Sequence, residues 1–137
     1  MATATNLPNA LRRALLLDAA ASGGMGLLLL VVAGPLTALL GLPVSLMQYV
    51  GVFLVPFAAL LIWVARRRHP AHGLTMAIVI GNVLWVVASV ALLLSGLVRP
   101  TVLGEVFVLA QAAAVMVFAY LEYRGLRQGD ALVAGRA

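Results

Sequence analysis

Few residues of this sequence could take part in chemistry, and most of them interrupt long apolar runs. Asp18, Asn82, Glu105 and Gln111 each lie within such a run. A carboxyl or amide group among aliphatic side chains can bind a proton, a cation or a polar ligand, and it is costly to bury without a partner. These residues are therefore the first candidates for a functional site.

Two carboxyl residues of the apolar runs, Asp18 and Glu122, lie close to arginine in the sequence. Asp18 follows Arg12 and Arg13 by one or two helical turns, and Glu122 precedes Arg124. Asp18 is interpreted either as a proton or cation site or as an interfacial carboxylate paired with Arg13 or Arg124. Glu122 is expected to join the same ionic cluster, because charged side chains near the end of a span can reach the interface.

A second polar group is predicted at the other end of the spans. Gln48, Arg99 and Glu105 are expected at similar depth there, with Glu105 about one turn inside the span. These side chains either form the polar mouth of a cavity between helices, or they tie the helix ends together through a local salt bridge and hydrogen bond.

Asn82 and Gln111 are the deepest polar residues. They lie ~12 Å and ~14 Å from the ends of their spans, and so at nearly the same depth. A hydrogen bond between the two amides would contribute about 0.6–2 kcal/mol in a membrane; alternatively, the amides orient a ligand. Trp85, one turn from Asn82, then forms part of a small-molecule pocket, or it simply packs or faces lipid. The candidate ligand contacts are Asp18, Gln48, Asn82, Trp85, Glu105 and Gln111.

Residue types exclude other chemistry. The sequence has no cysteine, which excludes disulfides, thiolate chemistry and Cys-ligated metal clusters. His69 and His72 form an H-x-x-H pair, but Pro70 breaks the helix that would align them, and no third ligand is near in sequence. No nucleophile–base motif, phosphate-binding loop or dinucleotide fingerprint occurs. We therefore expect no enzymatic activity, no cofactor and no bound metal.

Composition dictates the elements that position these residues. Of the 137 residues, 64% are hydrophobic and 9% are charged, with a mean hydropathy of +1.13, whereas soluble domains carry about 25% charged residues. In lipid the backbone must satisfy its own hydrogen bonds, and apolar runs of roughly 20 residues do so as helices rather than as barrel strands. Because the connections are short, the predicted fold is all-α, an antiparallel four-helix transmembrane bundle.

The predicted organisation has a flexible N-terminal segment at residues 1–9, a membrane domain at 10–123 and a tail at 124–137. Proline is expected to kink the first span at Gly34-Pro35 and the second at Pro56. The spans are predicted at about 14–40, 45–65, 74–97 and 102–123.

Arginine predicts the orientation. Eight of the nine arginines lie on one side of the spans, and the positive-inside rule places that side, with both chain ends, in the cytoplasm. Because these arginines flank apolar runs, the net charge of +5 does not indicate a nucleic-acid partner. Asp18 interrupts the apolar run after Arg13 too early for a cleavable signal peptide, so the first span is expected to stay uncleaved.

Small residues predict where helices approach closely. Spacings such as Ser22-x-x-x-Gly26 let two backbones come into van der Waals contact. The expected partners are the lipid bilayer and either another membrane protein or a second copy of the chain. The predicted packing residues are Ser22, Gly23, Gly26, Gly81, Ala110 and Ala114.

Several stretches resemble those of small uncharacterised bacterial four-span integral membrane proteins: Ala33-Gly34-Pro35, Leu40-Gly41-Leu42-Pro43, residues 82–89 and residues 109–113. The resemblance covers about residues 10–127. It implies the four-span fold and a location in a bacterial inner membrane, but no activity and no functional residues. The leading hypothesis is a non-enzymatic accessory or structural protein. The alternative is a small transporter, or a protein that binds a lipid or another lipophilic ligand in a polar cavity between helices.

Overall fold

The computed structural model describes residues 8–136, which fold into four helices joined by short turns. Each helix contains an 18-residue stretch with a mean hydropathy between 2.0 and 2.5, and each is long enough to cross a bilayer. The chain is therefore a multi-pass, all-α membrane protein, as predicted. The predicted flexible segment lies, up to residue 7, outside the described residues. The helices are α1 (Asn9–Leu40), α2 (Val44–Arg66), α3 (His72–Ser95) and α4 (Val102–Ala134).

Glycine ends α1 and α3. Gly41 (φ 68°) and Gly96 (φ 73°) have left-handed backbone, which glycine adopts without the steric penalty of a Cβ. Thr101 precedes α4, where its Oγ1 accepts a hydrogen bond from Gly104 N at 3.1 Å and donates one to the Leu39 carbonyl at 2.8 Å. The start of α4 is thus tied to the end of α1.

Two helices, α1 and α4, form the centre of the bundle. They pack against each other, α2 packs along α1, and α3 packs along α4. At the α1–α2 contact a Cβ on Gly51 would lie 2.8 Å from the carbonyl oxygen of Gly26. At the α1–α4 contact a Cβ on Gly125 would lie 2.7 Å from the Leu11 Cα. These are the close backbone approaches that small residues permit between membrane helices.

The helices α2 and α3 follow each other in sequence but do not pack backbone to backbone. Aromatic side chains span the gap instead. The ring of Phe53 on α2 stacks on the ring of Trp85 on α3, with centroids 5.8 Å apart, and on the ring of Phe57 at 5.9 Å. This side of the bundle is therefore closed by side chains rather than by helix packing.

Two apolar cores fill the interior, one near each end of the bundle. Leu15 and Leu61 belong to the first core, and Leu29 and Val108 belong to the second. The first core lies at what we call the arginine end, which carries Arg12, Arg13, Arg66, Arg67, Arg68, Arg124 and Arg127. Buried polar residues lie between the two cores along α1, α3 and α4.

Proline distorts α1 where the sequence predicts it. Val32, three residues before Pro35, has φ −119° and ψ 22°, outside the helical region. Pro35 has no backbone N–H, so this turn lacks one of the hydrogen bonds of a regular helix. The predicted kink at Gly34-Pro35 is thus present.

The last helix is longer than the predicted span. The span was expected to end at residue 123, but α4 continues to Ala134, so most of the predicted tail is helical. His72 Nδ1, at the start of α3, lies 3.2 Å from Asp130 Oδ1 on this extension. Both side chains are exposed, and their contact links the two helices at the arginine end.

Candidate functional site

A carboxyl cluster, formed by Asp18, Ser22, Asn82 and Glu122, lies buried between α1, α3 and α4. The Asn82 Nδ2 donates to Asp18 Oδ2 at 2.8 Å and to Glu122 Oε2 at 3.1 Å. The Ser22 Oγ donates to Asp18 Oδ1 at 2.8 Å. Asp18 is 1% exposed and Glu122 is 0% exposed. One amide group therefore holds two carboxyl groups together.

Helix geometry explains why these side chains meet. Asp18 and Ser22 are four residues apart on α1, a spacing that places both on one face of a helix. Glu122 lies three residues before Gly125, where α4 touches Leu11 of α1. The close α1–α4 contact therefore brings the Glu122 carboxyl to the same interior position as Asp18.

The carboxyl cluster has no basic partner. Among the described residues the ion pair found is between His72 and Asp130, which are exposed at the arginine end. The arginines expected to pair with Asp18, namely Arg13 and Arg124, are exposed and make no such pair. This corrects the interpretation of Asp18 and Glu122 as an ionic ring with arginine. The physical reason is that arginine is long enough to keep its charge at the interface.

One oxygen of the cluster has no partner at all. Glu122 Oε1 is buried and accepts no hydrogen bond within the described part of the chain. Leaving a buried polar atom unpaired costs about 1–3 kcal/mol, and more for a charged group. Two carboxyl groups with neutral donors around them, one of them incompletely satisfied, form a site that favours a positive charge or an additional donor.

A second polar network, formed by Trp85, Ser89 and Gln111, lies farther from the arginine end. The Trp85 Nε1 donates to Gln111 Oε1 at 2.8 Å, and Gln111 Nε2 donates to Ser89 Oγ at 3.0 Å and to the Val108 carbonyl at 3.0 Å. Ser89 Oγ donates to the Trp85 carbonyl at 2.8 Å. Each of the three side chains has a partner, so this network links α3 to α4.

The predicted hydrogen bond between Asn82 and Gln111 is therefore wrong. The two amides are at similar depth, but they bind different partners: Asn82 binds the carboxyl groups, and Gln111 binds Trp85 and Ser89. The prediction used depth alone, and depth does not fix which way a side chain points around its helix.

Cavities border both networks. A cavity of about 240 Å³ extends inward between α1 and α4 from the exposed small residues Ala21, Ala110 and Ala114. Trp85 and Gln111 form its inner wall. Its full lining is Ala21, Ser22, Met25, Leu54, Trp85, Phe107, Ala110, Gln111, Ala114, Val115 and Phe118.

A smaller crevice of about 70 Å³ lies on the α2–α3 side, beside the stacked rings of Phe53, Phe57 and Trp85. It borders Asn82 and Ser22, the two residues that donate hydrogen bonds to the carboxyl groups. The cavity and the crevice share Ser22, Leu54, Trp85 and Val115. A molecule in the crevice would thus lie one side chain away from Asp18 and Glu122, and a molecule in the cavity would lie one side chain away from Asp18.

The other predicted site residues lie apart from these networks. Gln48 and Glu105 are exposed, and neither hydrogen-bonds to Arg99 within residues 8–136. Gly23 and Gly26 face α2, where a Cβ on Gly23 would lie 3.2 Å from the Ala58 Cβ. A Cβ on Gly81 would meet nothing within 4 Å. Of the predicted packing residues, Ser22 also belongs to the carboxyl cluster, and Ala110 and Ala114 line the cavity.

Sequence reasoning missed two contributors. Phe53 lines the crevice and stacks on Trp85. In an apolar run, the sequence does not distinguish such an aromatic residue from one that faces lipid. Ser89 lies one turn after Trp85, on the same face of α3 as Asn82. That spacing in the sequence is the signal that could have identified Ser89. Among the described residues no group of three His, Cys, Asp or Glu side chains is placed to bind a metal.

The fold and the site define a multi-pass helical membrane protein with a buried carboxyl cluster beside cavities in the bundle. No protein-family model, no curated protein and no solved structure matches the chain.

Proposed function

We propose that this chain is a non-enzymatic membrane protein that binds a small lipophilic ammonium compound, as a transporter or as a ligand-binding protein. The observation that carries the proposal is the buried carboxyl cluster, with its unpartnered Glu122 Oε1, beside cavities that open from the membrane-facing surface. Carboxyl groups are costly in the interior of a membrane bundle, and they typically mark proton, ion or ligand sites.

The charge of the ligand follows from the cluster. Asp18 and Glu122 are held by an amide and a hydroxyl, and no described basic side chain pairs with them. An ammonium group supplies both the positive charge and the N–H donor that this arrangement lacks. The side-chain oxygen of Asn82, Oδ1, accepts no hydrogen bond from the described residues, so it is available to such a donor as well.

The size and shape of the ligand follow from the cavities. Drug-sized ligands occupy pockets of about 300–1,000 Å³, so a cavity of about 240 Å³ suits a compound with a single ring. The rings of Phe53, Phe57 and Trp85 border the crevice that reaches Asn82. Aromatic faces attract cations as well as apolar surface, which favours an aromatic or bulky amine.

Ligand binding is tested with 2-phenylethylammonium and its uncharged isostere propylbenzene. In a Trp63→Phe background Trp85 is the sole tryptophan, because the sequence contains two, so its fluorescence in lipid nanodiscs reports on the cavity. We expect the ammonium compound to bind at least about tenfold more tightly than propylbenzene, which corresponds to about 1.4 kcal/mol. Glu122→Gln should abolish that preference, whereas Glu105→Gln, at an exposed carboxyl, should preserve it.

Equal binding of the two compounds, or an unchanged preference in Glu122→Gln, would disprove the proposal. Far-ultraviolet circular dichroism of each variant ensures that the comparison is made between folded proteins.

The second candidate function is that of an accessory protein that packs against another membrane protein. It is favoured by Gly24 on α1 and Gly81 on α3, which are exposed and where a Cβ would meet nothing within 4 Å. Such open glycines permit close approach of a further helix. Cross-linking from Gly24→Cys in the native membrane would trap that neighbour, and absence of any adduct would count against this function.

We also propose that the protein resides in a bacterial inner membrane with both chain ends in the cytoplasm. The arginine distribution supports this orientation, because eight of the nine described arginines, including Arg136 beyond the end of α4, lie on the side of the arginine end and Arg99 lies on the other.

A further inference from the structure

A third cavity, of about 310 Å³, lies between α1 and α4 at the arginine end. Arg13 of α1 and Arg124 of α4 lie on either side of it, and Gln128 lies one turn beyond Arg124. Ala14 and Gly125 are buried and form its floor. Two guanidinium groups and an amide from different helices therefore face one concave surface.

The charges of the two arginines are available to an anion, although the Arg124 guanidinium also lies over the Tyr120 ring, 5.8 Å from its centroid. Neither forms an ion pair with any carboxyl group among residues 8–136, although Asp18 and Glu122 lie within two turns of them. Those carboxyl groups bind Asn82 and Ser22 instead. Arginine pairs bind phosphate through several charge-assisted hydrogen bonds, so the chemistry that fits this cavity is a phosphate group.

The surface next to this cavity is apolar. Leu17 on α1, one turn farther into the membrane than Arg13, is 57% exposed, and Val117 on α4, two turns farther than Arg124, is 54% exposed. The next turns carry Ala21 and Ala114, at the mouth of the 240 Å³ cavity. Exposed apolar side chains of α1 and α4 thus follow the arginine pair toward the middle of the membrane, and we call the cavity together with this apolar strip the groove. A phosphate headgroup followed by an acyl chain has the same order of charged and apolar parts.

We infer that this groove binds one anionic phospholipid, with its phosphate between Arg13 and Arg124 and an acyl chain along Leu17 and Val117. A free phosphate ion would use the arginines but not the apolar groove, so the lipid is the occupant that accounts for both. Basic pockets between helices at a membrane surface are typical binding sites for such headgroups.

Native mass spectrometry of the purified full-length chain, with phosphatidylglycerol and phosphatidylcholine supplied in equal amounts, tests the inference. The wild type should retain one phosphatidylglycerol in preference to phosphatidylcholine. The double variant Arg13→Gln/Arg124→Gln should lose that preference by about fivefold or more. The matched control is Arg66→Gln/Arg68→Gln, which removes the same charge from the same end outside the groove, and it should retain the preference.

Three results would overturn the inference: no preference in the wild type, equal loss in both double variants, or displacement of the lipid by millimolar inorganic phosphate. The last result would assign the arginines to a free anion. The substituted arginines are exposed, so both variants are expected to fold, and circular dichroism verifies this. The test does not depend on the ammonium ligand, and either proposal can fail without the other.

Discussion

At the scale of single residues, Asn82 has the largest role in the site. An asparagine amide has two N–H donors, and here the nitrogen serves both Asp18 and Glu122. Gln111, the other deep amide, directs its nitrogen to Ser89 and to a backbone carbonyl. Two amides at similar depth therefore bind different partners and should act independently.

This independence is testable with double-mutant cycles. Asn82→Ala should lower the free energy of unfolding by about 1–3 kcal/mol, because it leaves the buried Glu122 carboxyl without a donor and Asp18 with Ser22 alone. Combined with Gln111→Ala, its effect should add within about 0.5 kcal/mol, whereas combined with Asp18→Asn it should not. Unfolding in mixed micelles, followed by circular dichroism, measures these values. A coupling above about 1 kcal/mol between Asn82 and Gln111 would place them in one network.

The sequence indicates which residues belong to the interior but not which of them pair. The cost of a polar group in lipid singled out Asp18, Asn82 and Gln111, and all three lie in the two networks. Their partners depend on the rotation of each helix about its axis, which the polar residues alone do not determine. The spacing of one turn predicts that Trp85 lies beside Asn82 in a pocket, but the indole nitrogen donates its hydrogen bond to Gln111.

At the scale of elements, the contact between α1 and α4 depends on glycine. A Cβ at position 125 would lie 2.7 Å from both the Cα and the Cβ of Leu11, and backbone atoms cannot give way as a side chain can. The helices would have to separate, and with them Asp18 and Glu122.

Gly125→Ala should therefore destabilise the bundle by about 1–3 kcal/mol, the range for overpacked interiors. The matched control is Gly24→Ala in α1, where a Cβ meets nothing within 4 Å. There, alanine should leave stability unchanged or raise it by up to about 1 kcal/mol through its higher helix propensity. Thermal unfolding in the same detergent compares the two. Similar stabilities for the two variants would argue against close packing at Gly125.

The elements themselves are largely predictable because their causes are local. Apolar runs define the four spans, and Pro35 defines the kink in α1. Two features were not predictable. The polar composition after residue 123 conceals the helical extension that contacts His72. The short loop between α2 and α3 predicts that these helices pack against each other, but stacked aromatic side chains make the contact instead.

At the scale of the whole molecule, the arginine end predicts the orientation in the membrane. The native sequence lacks cysteine, so single cysteines report topology without background. Exposed Ala71 lies in the loop at the arginine end, and exposed Ser45 lies at the opposite end. With a membrane-impermeant maleimide on intact cells, Ser45→Cys should be labelled, and Ala71→Cys should be labelled after permeabilisation alone. The reverse pattern would invert the proposed topology.

The two glycine contacts of α4 have a mechanical consequence. Gly104 packs against the Leu40 carbonyl near one end of α1, and Gly125 packs against Leu11 near the other. The stretch of α4 between these fixed points is ~30 Å long. Two helices that are in close contact near both ends cannot separate by a hinge motion at one end. The gap between α1 and α4 therefore widens only when the middle of a helix bends or when side chains that line the gap change rotamer. Entry is therefore limited by the width of a molecule rather than by its length.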